Sequence, residues 1–386
     1  MCGSDPCLTH YYRYMKERKL SLRKRIGLRL FQFKKRQITT QHKLKYLMWE
    51  CTVRCNLSCS FCGNGSCRKD TMLTDMPLYD FLKAFDEIAP QIDPQETRVV
   101  LTGGEPLLRT DLEECGRELS KRGFKWGIIT NALILEKQRL TQLMRSGMSF
   151  ITVNLDGVEE AHNKLRGNEH SFEHAVKAIE LLAHEEDVKL KVSTCVSNQG
   201  YEDLCHLKDL LLKLGVKNWR LHSLFPRKEQ KGPNQSGINN QEFKKLFSFM
   251  REMSELEEMN VSCGCDGFLG NYEFDIQNSF FFCRAGINMG TILVDGTISA
   301  CPTLRTKYSQ GNIYSDNFMD VWNNEYKMFR DDKWSHNACC KSCEFYQYCE
   351  GNGLYMRDEN GKMYFCHVER KDQEESVSNL VNTLKH

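Results

Sequence analysis

Residues 55–62 read CNLSCSFC, three cysteines in the pattern C-x3-C-x2-C. Thiols set this close are metal ligands in an intracellular chain. A structural zinc ion closes its tetrahedron with four ligands, commonly from paired C-x2-C units at a distance. This stretch supplies no clean fourth: Cys51 repeats a three-residue gap, and Cys67 lies beyond GNGS. A disulfide framework fails on compartment, because residues 1–50 contain no apolar signal region. The 19 cysteines are therefore expected in the reducing cytoplasm, serving metal. An iron–sulfur cubane held by only three thiolates leaves one iron with open coordination, which is an arrangement for chemistry.

A second motif supports that reading. TGGEP, residues 102–106, follows the apolar run RVVL, so a glycine pair and a carboxylate sit at a strand end. In this order and context the two motifs resemble those of the radical S-adenosylmethionine (SAM) enzymes, with Phe61 as the aromatic residue before the third cysteine. The resemblance implies a [4Fe-4S] cluster on Cys55, Cys59 and Cys62 and SAM chelated at the open iron. It implies reductive cleavage to a 5′-deoxyadenosyl radical, with electrons from a donor such as flavodoxin or ferredoxin. It also implies that Gly103 and Gly104 let the backbone approach SAM while Glu105 accepts hydrogen bonds from its ammonium. In NLDGVEEAHNKLRG, Asn154 and Arg166 match the pair that binds the SAM carboxylate. Asn154 stands where serine is more usual, and the plain alternative for Arg166 is a surface salt bridge. His162 and His222 read as ordinary structural polar residues, so no acid or base is assigned.

A second set of cysteines lies toward the C-terminus. Cys283 and Cys301 precede CKSCEFYQYC, which brings Cys340, Cys343 and Cys349, with Cys366 beyond. Cys301 closes a G-x4-C arrangement after Gly296. The set resembles the SPASM extension of radical SAM enzymes, which continues C-x2-C-x5-C-x3-C, but Gly353 occupies the last cysteine's place. By the resemblance, Cys340, Cys343, Cys349 and Cys366 hold a distal auxiliary cluster, while the proximal one keeps only Cys283 and Cys301. At least one auxiliary [4Fe-4S] cluster is expected and a complete second is not, unless Cys263, Cys265 or Cys339 fills in. Zinc on the four distal thiolates is the competing assignment.

SPASM enzymes commonly modify ribosomally made peptides or proteins, so such a substrate is expected, and no nucleic acid. Sulfatase maturation is disfavoured, because Pro302 stands where an aspartate base would follow the G-x4-C cysteine. WNNEYKMFRDDKW with CEGNGLYMRD is most similar to maturases of the radical SAM/lipoprotein-system type. A radical SAM dehydrogenase or other modifier of a small molecule, a tetrapyrrole for instance, would share every motif. A non-catalytic iron–sulfur or zinc scaffold would have no use for Glu105 and Arg166.

Positioning these groups requires a scaffold. LKYLMWEC reads as a strand feeding the cysteine loop, and helical and strand patterns then alternate: helix 78–88, RVVLT, helix 111–122, KWGIIT, helix 136–146, FITVNL, helix 172–184, KLKVSTCV, helix 201–214, NWRLHSL. Alternation of this kind calls for a parallel sheet under helices, here an α/β partial (β/α)6 TIM-like barrel with a C-terminal cysteine-rich SPASM extension. The motifs fall at strand C-terminal ends, where such barrels collect catalytic groups. The expected division is a basic segment 1–44, the barrel 45–226, a linker and helix 227–260, the SPASM region 261–370 and a tail 371–386.

At 386 residues, 40% hydrophobic and 27% charged, the chain can bury a large core, and no apolar run is long enough to cross a bilayer. The net charge of +2 hides an asymmetry: residues 13–36 hold eleven Lys and Arg against the single acid Glu17. Leu22, Ile26, Leu30 and Phe33 recur there at helical spacing, with Gly27 weakening the helix. The expectation is that this stripe packs on the main domain. The alternative is peripheral attachment to an anionic membrane, which would place the protein at the inner membrane face, or to an acidic substrate.

Overall fold

A computed structural model of the chain describes residues 20–62, 74–197, 201–224, 240–255, 257–264, 267–276, 279–304, 308–331, 335, 340–341, 343–357, 363 and 366. Residues 1–19 of the basic segment, Cys67, Cys265, Cys339, residues 227–239 and 256 of the expected linker and the tail from 371 lie outside the described residues.

The first element is helix α1 (Leu22–Gln41). The six expected strands follow: β1 (Tyr46–Thr52), β2 (Arg98–Gly103), β3 (Lys125–Thr130), β4 (Met148–Asn154), β5 (Lys189–Val196) and β6 (Asn218–Ser223). They pair in chain order, every pair parallel. Between them run α2 (Leu78–Ile88), α3 (Leu112–Lys121), α4 (Lys137–Arg145), α5 (Glu159–Arg166), α6 (Ser171–Ala183) and α7 (Tyr201–Lys213).

The sheet extends further than the sequence pattern indicated. After α8 (Asn240–Ser254), β7 (Asn260–Cys263) adds in parallel to β6, so the barrel's sheet runs across the boundary expected at 260. On the other flank β8 (Met289–Ile292) pairs in parallel with β1 and carries the antiparallel β9 (Thr297–Ser299) and β10 (Gly311–Asn312). One ten-stranded sheet results, in the order β10-β9-β8-β1-β2-β3-β4-β5-β6-β7. The cysteine-rich region is therefore joined to the barrel through β1, the strand that delivers the cysteine loop. NVSC and MGTI are too short and too mixed to carry a periodic signal.

Alternation along the strands divides the two faces. Leu47, Trp49, Val99, Leu101, Trp126, Ile128, Val192, Trp219 and Leu221 are fully buried beneath the helices. Trp49 stacks on Phe81 of α2 with ring centroids 3.8 Å apart and planes 4° from parallel. Burying each such side chain contributes roughly 1.5–3 kcal/mol, which fixes the strand faces. The intervening residues, Glu50, Thr102, Asn154, Lys191, Ser193, Cys195, Arg220 and His222 among them, face the inside of the barrel.

Helix α1 departs from expectation. Leu22, Ile26, Leu30 and Phe33 are 70%, 54%, 69% and 64% exposed, so the stripe does not pack on the described residues. The packed face is the opposite one: Leu28 and Gln32 are buried, with Leu28 in a cluster with Leu20 and Phe268. Lys24 pairs with Asp275 at 2.5 Å, Lys35 pairs with Glu350, and Arg29 Nη2 donates to Gln347 Oε1 at 2.7 Å. Gly27 serves this docking, since a β-carbon there would stand 3.0 Å from the Phe280 ring. Charged stems reach the cysteine-rich region because their tips find acids and carbonyls; the apolar stripe meets none of the described residues on its side.

Candidate active site

The cysteine loop leaves β1 at the C-terminal end of the strands and is held there by hydrogen bonds from three directions. Gly104 N donates to Thr52 O at 2.9 Å and Glu105 N to Arg54 O at 2.7 Å, tying the GGEP turn to the loop's entry. The glycines answer to this contact. A β-carbon would lie 2.0 Å from Thr52 O at Gly103, whose φ is +144°, and 2.0 Å from Arg54 O at Gly104. Backbone approach is thus the reason for the pair, but the backbone approached in this structure is the loop's own. Just beyond β3, Asn131 Nδ2 donates to Asn56 Oδ1 at 2.8 Å. From α5, Leu165 O accepts from Ser60 N at 3.1 Å.

Glu105 is buried at the centre of this arrangement. Its Oε1 accepts from Thr130 Oγ1 at 2.6 Å and Leu107 N at 3.1 Å, and its Oε2 from Asn131 N at 2.8 Å. Burial pushes the carboxyl pKa up, against the pull of these donors. A carboxylate offers about four acceptor positions, so one remains for a ligand cation. Thr130 and Asn131 carry this network and are absent from the sequence-level candidates; their only signal was their place at the end of KWGIIT.

Arg166, the last residue of α5, is buried rather than a surface residue. It pairs with Asp156, which is fully buried, at 2.5 Å. Its guanidinium lies 5.3 Å from the centroid of the Phe61 ring, and Nη1 reaches to 3.7 Å from Cys59 Sγ. Burial opposes its charge, but Asp156 and the nearby thiols of Cys59 and Cys195 hold it protonated. Asp156 Oδ1 also accepts from Cys195 N at 2.8 Å. Asp156 is a further site residue that the sequence alone does not mark, hidden in NLDG, where Asp-Gly reads as a turn. Asn154 is half-buried at the end of β4, opposite Ser193.

His162 is structural here. Asp156 N donates to its Nδ1 at 2.9 Å, its Nε2 meets Ser171 Oγ at 2.9 Å, and burial lowers its pKa to about 4. His222 is likewise lowered to about 4 by burial, then by Arg220. Burial raises the thiol of Cys55 to about 11 and pushes Cys59 up, with Arg166 counteracting it at Cys59. The donor set of the loop, three thiols beside a fixed cation, fits a cluster whose charge Arg166 can balance. Among the described residues no three Cys, His, Asp or Glu side chains converge as ligands of one ion would. Cubane thiolates bind separate irons and have no need to converge.

The distal thiols are grouped. Cys349, at the end of α11 (Tyr346–Cys349), is raised to about 12, first by burial, with Cys366, Cys343 and Cys340 adding negative charge around it. Before it lie α9 (Phe318–Asn324) and α10 (Lys327–Arg330). Arg357, 5% exposed, donates through Nη2 to Cys340 Sγ at 3.2 Å and to Gly351 O at 2.9 Å. This cation, part of CEGNGLYMRD, stands beside the distal thiols, a place that its sequence context does not signal. The set of four thiols fits a cluster.

The proximal set does not. Cys283 and Cys301 lie near each other, with burial and then Cys301 raising the Cys283 thiol. Gly353 lies against Cys283, yet it brings no ligand atom. Cys263 belongs to β7, buried opposite Leu221.

The chain matches the radical SAM superfamily over residues 49–211 and an iron–sulfur cluster-binding domain, SPASM, over 283–344. An AdoMet-dependent heme synthase of Methanosarcina barkeri is 23% identical over 82% of this chain and 95% of its own length. The mycofactocin maturase MftC of Mycolicibacterium smegmatis is 26% identical over 79% of this chain and 76% of its own. Among solved structures, Streptococcus suis SuiB superposes with a TM-score of 0.66 at 18% identity, covering 85% of this chain and 77% of SuiB. An AdoMet-bound structure of anSMEcpe gives 0.62 at 18% identity, over 89% of this chain and 100% of that one. Two domain matches in the expected order, on a partial parallel barrel of the same fold, identify the chain as a radical SAM enzyme with a SPASM iron–sulfur extension.

Proposed function

We propose that this enzyme modifies a peptide or protein, with Cys55, Cys59 and Cys62 holding the [4Fe-4S] cluster that binds SAM. When bound, that pair supplies a 5′-deoxyadenosyl radical on reduction by a donor such as flavodoxin or ferredoxin. The carrying observation is the placement of Arg166, whose side chain touches both Phe61 and Cys59 of the loop while Asp156 fixes it from behind. Arg166 and Asn154 bind the SAM carboxylate, and Glu105 uses its remaining acceptor position for the ammonium. Gly103 and Gly104 keep the GGEP turn against the loop, so that ammonium and carboxylate sites hold a constant separation. Cys340, Cys343, Cys349 and Cys366 hold one auxiliary cluster, and Arg357 stabilises its negative charge through Cys340.

The peptide reading draws support from the maturase relative, 26% identical over most of both chains. A tetrapyrrole is the second reading, favoured by the heme synthase that aligns over 95% of its length. Co-expression with peptides encoded nearby, followed by intact-mass measurement, tests the first. A loss of two hydrogens from one peptide, absent with Cys59→Ala, is the expected result. Modification that persists in that variant overturns the assignment of the loop.

Helix α1 adds a place to this function: we propose that it seats the enzyme on an anionic membrane face. Around the helix, Leu22, Ile26, Leu30 and Phe33 form one exposed stripe, and the exposed cations Arg23 and Lys34 flank one side of it and Arg25, Arg29 and Arg36 the other. An apolar stripe between two basic borders is the pattern of an interfacial helix. No described helix is long and apolar enough to cross a membrane, so attachment would be peripheral.

A further inference from the structure

Below the cysteine loop, the inside of the barrel carries a group of cations for which the proposed chemistry gives no use. Lys191 on β5 and Arg220 on β6 alternate with Val192, Trp219 and Leu221, all buried under the helices, so their side chains belong to the inner face. The register places them close: Arg220 lies opposite Ser193, two residues beyond Lys191 on the same face, and His222 lies opposite Cys195. Cys195 is at the level of Asp156 and Arg166. Four residues of strand span about 13 Å, so Lys191 sits roughly that far below the loop. At the lower rim Arg284 lies 5.4 Å over the ring of Tyr46, and Arg98 lies 5.8 Å over that of Phe150.

Among the described residues, Lys191, Arg220, Arg98 and Arg284 form no ion pair. Arg220 Nε is buried with no hydrogen-bond partner, and so is Thr291 Oγ1 on β8, whose register opposite Met48 puts it on the inner face. Two acids of this face are engaged elsewhere: Asp156 with Arg166, and Glu50 as acceptor from Val294 N at 3.2 Å. The repulsion registers on Lys191, lowered to about 8 by burial and then by Arg220, Lys189, Arg98 and Arg284. Arg98 and Arg284 are exposed to solvent, but the like charges of the partly buried Lys191 and Arg220, unpaired among the described residues, and an unsatisfied buried donor disfavour the free protein, and an anion placed between them relieves both.

We infer that the barrel interior beneath the cysteine loop binds carboxylate groups of the substrate, with Arg220 and Lys191 as their principal partners. The inference rests on the proposed function, since it takes the space below SAM as the substrate chamber. Arg220 can offer a bidentate fork and Lys191 a point charge. The distance to the loop then lets a carboxylate anchor one end of a substrate whose reacting carbon reaches SAM. Acidic side chains of a peptide and the propionates of a tetrapyrrole both meet this description.

Titration of the reconstituted full-length enzyme under anaerobic conditions separates these sources. The probes are N-acetyl-tetraglutamate amide and coproporphyrin III, each against a neutral counterpart, the tetraglutamine peptide and the porphyrin tetramethyl ester. At least one acidic probe should bind saturably where its neutral counterpart does not. Arg220→Gln and Lys191→Gln should each weaken it about tenfold, while Arg220→Lys and Lys191→Arg, which keep the charge, should recover most of the affinity. Binding of the peptide alone or the porphyrin alone supports the inference and names the source. Equal binding of acidic and neutral probes, no binding of any, or affinity unchanged in the Gln variants overturns it. A phosphorylated serine peptide that binds while both carboxylate probes fail also overturns it. Wild-type formation of 5′-deoxyadenosine, measured in parallel, shows whether the underlying radical SAM reading stands.

Discussion

Gly353 lies directly against Cys283: a β-carbon built on the glycine would stand 3.0 Å from the cysteine Sγ. Its φ of −86° is open to any residue, so no backbone constraint requires glycine here. The structure thus sets Gly353, which has no donor atom, beside Cys283, itself near Cys301. Two cubanes amount to about eight irons per chain and three to about twelve. Iron and sulfide analysis of reconstituted wild type should return the lower figure, and Gly353→Cys should raise it by up to about four. Wild-type iron near twelve would show that another group completes the proximal cluster.

Attachment through α1 predicts sedimentation of the full-length enzyme with vesicles containing about 30% anionic lipid, and much less with neutral vesicles. Replacing Leu30 and Phe33 together with serine should weaken binding on the order of tenfold, and Arg25→Glu with Arg36→Glu should abolish it at physiological salt. None of these residues contacts the cysteine sites, so 5′-deoxyadenosine formation should survive. Vesicle binding unaffected by the serine pair, or a dimer that dissociates on that change, would rule out the membrane as the stripe's partner.

The buried histidines make stability depend on acidity. His162 and His222 have native pKa values of about 4 against 6.5 for the free side chain. A depressed native pKa means the unfolded chain takes the proton first. The contribution is complete above pH 6.5 and is lost as pH falls toward 4, on the order of 3 kcal/mol for each residue. Urea midpoints at pH 7, 6 and 5 should fall in wild type. His162→Gln should start lower, having lost the bond from Asp156 N, and then fall about half as steeply. An unchanged slope in that variant would assign the pH dependence elsewhere.

Much of this protein was legible in the sequence because local chemistry carries it. CNLSCSFC and TGGEP are contiguous, their residue types are unusual, and strongly apolar runs place them at strand ends. The six barrel strands were legible for the same reason: a strand buried under helices, such as RVVLT or KWGIIT, needs an apolar run that nothing else in the chain resembles. What depended on distant segments was not legible. β7 and β8 are short and take their identity from edges that β6 and β1 offer. Asp156 and Thr130 became site residues only when α5 and the GGEP turn folded onto them. The stripe of α1 has one periodicity whether it faces a core or water, and only docking by Lys24, Lys35 and Arg29 decided which face is left outside. The cations inside the barrel likewise needed register: Lys191 and Arg220 are 29 residues apart in the chain, and only the parallel pairing of β5 with β6 sets their charges side by side.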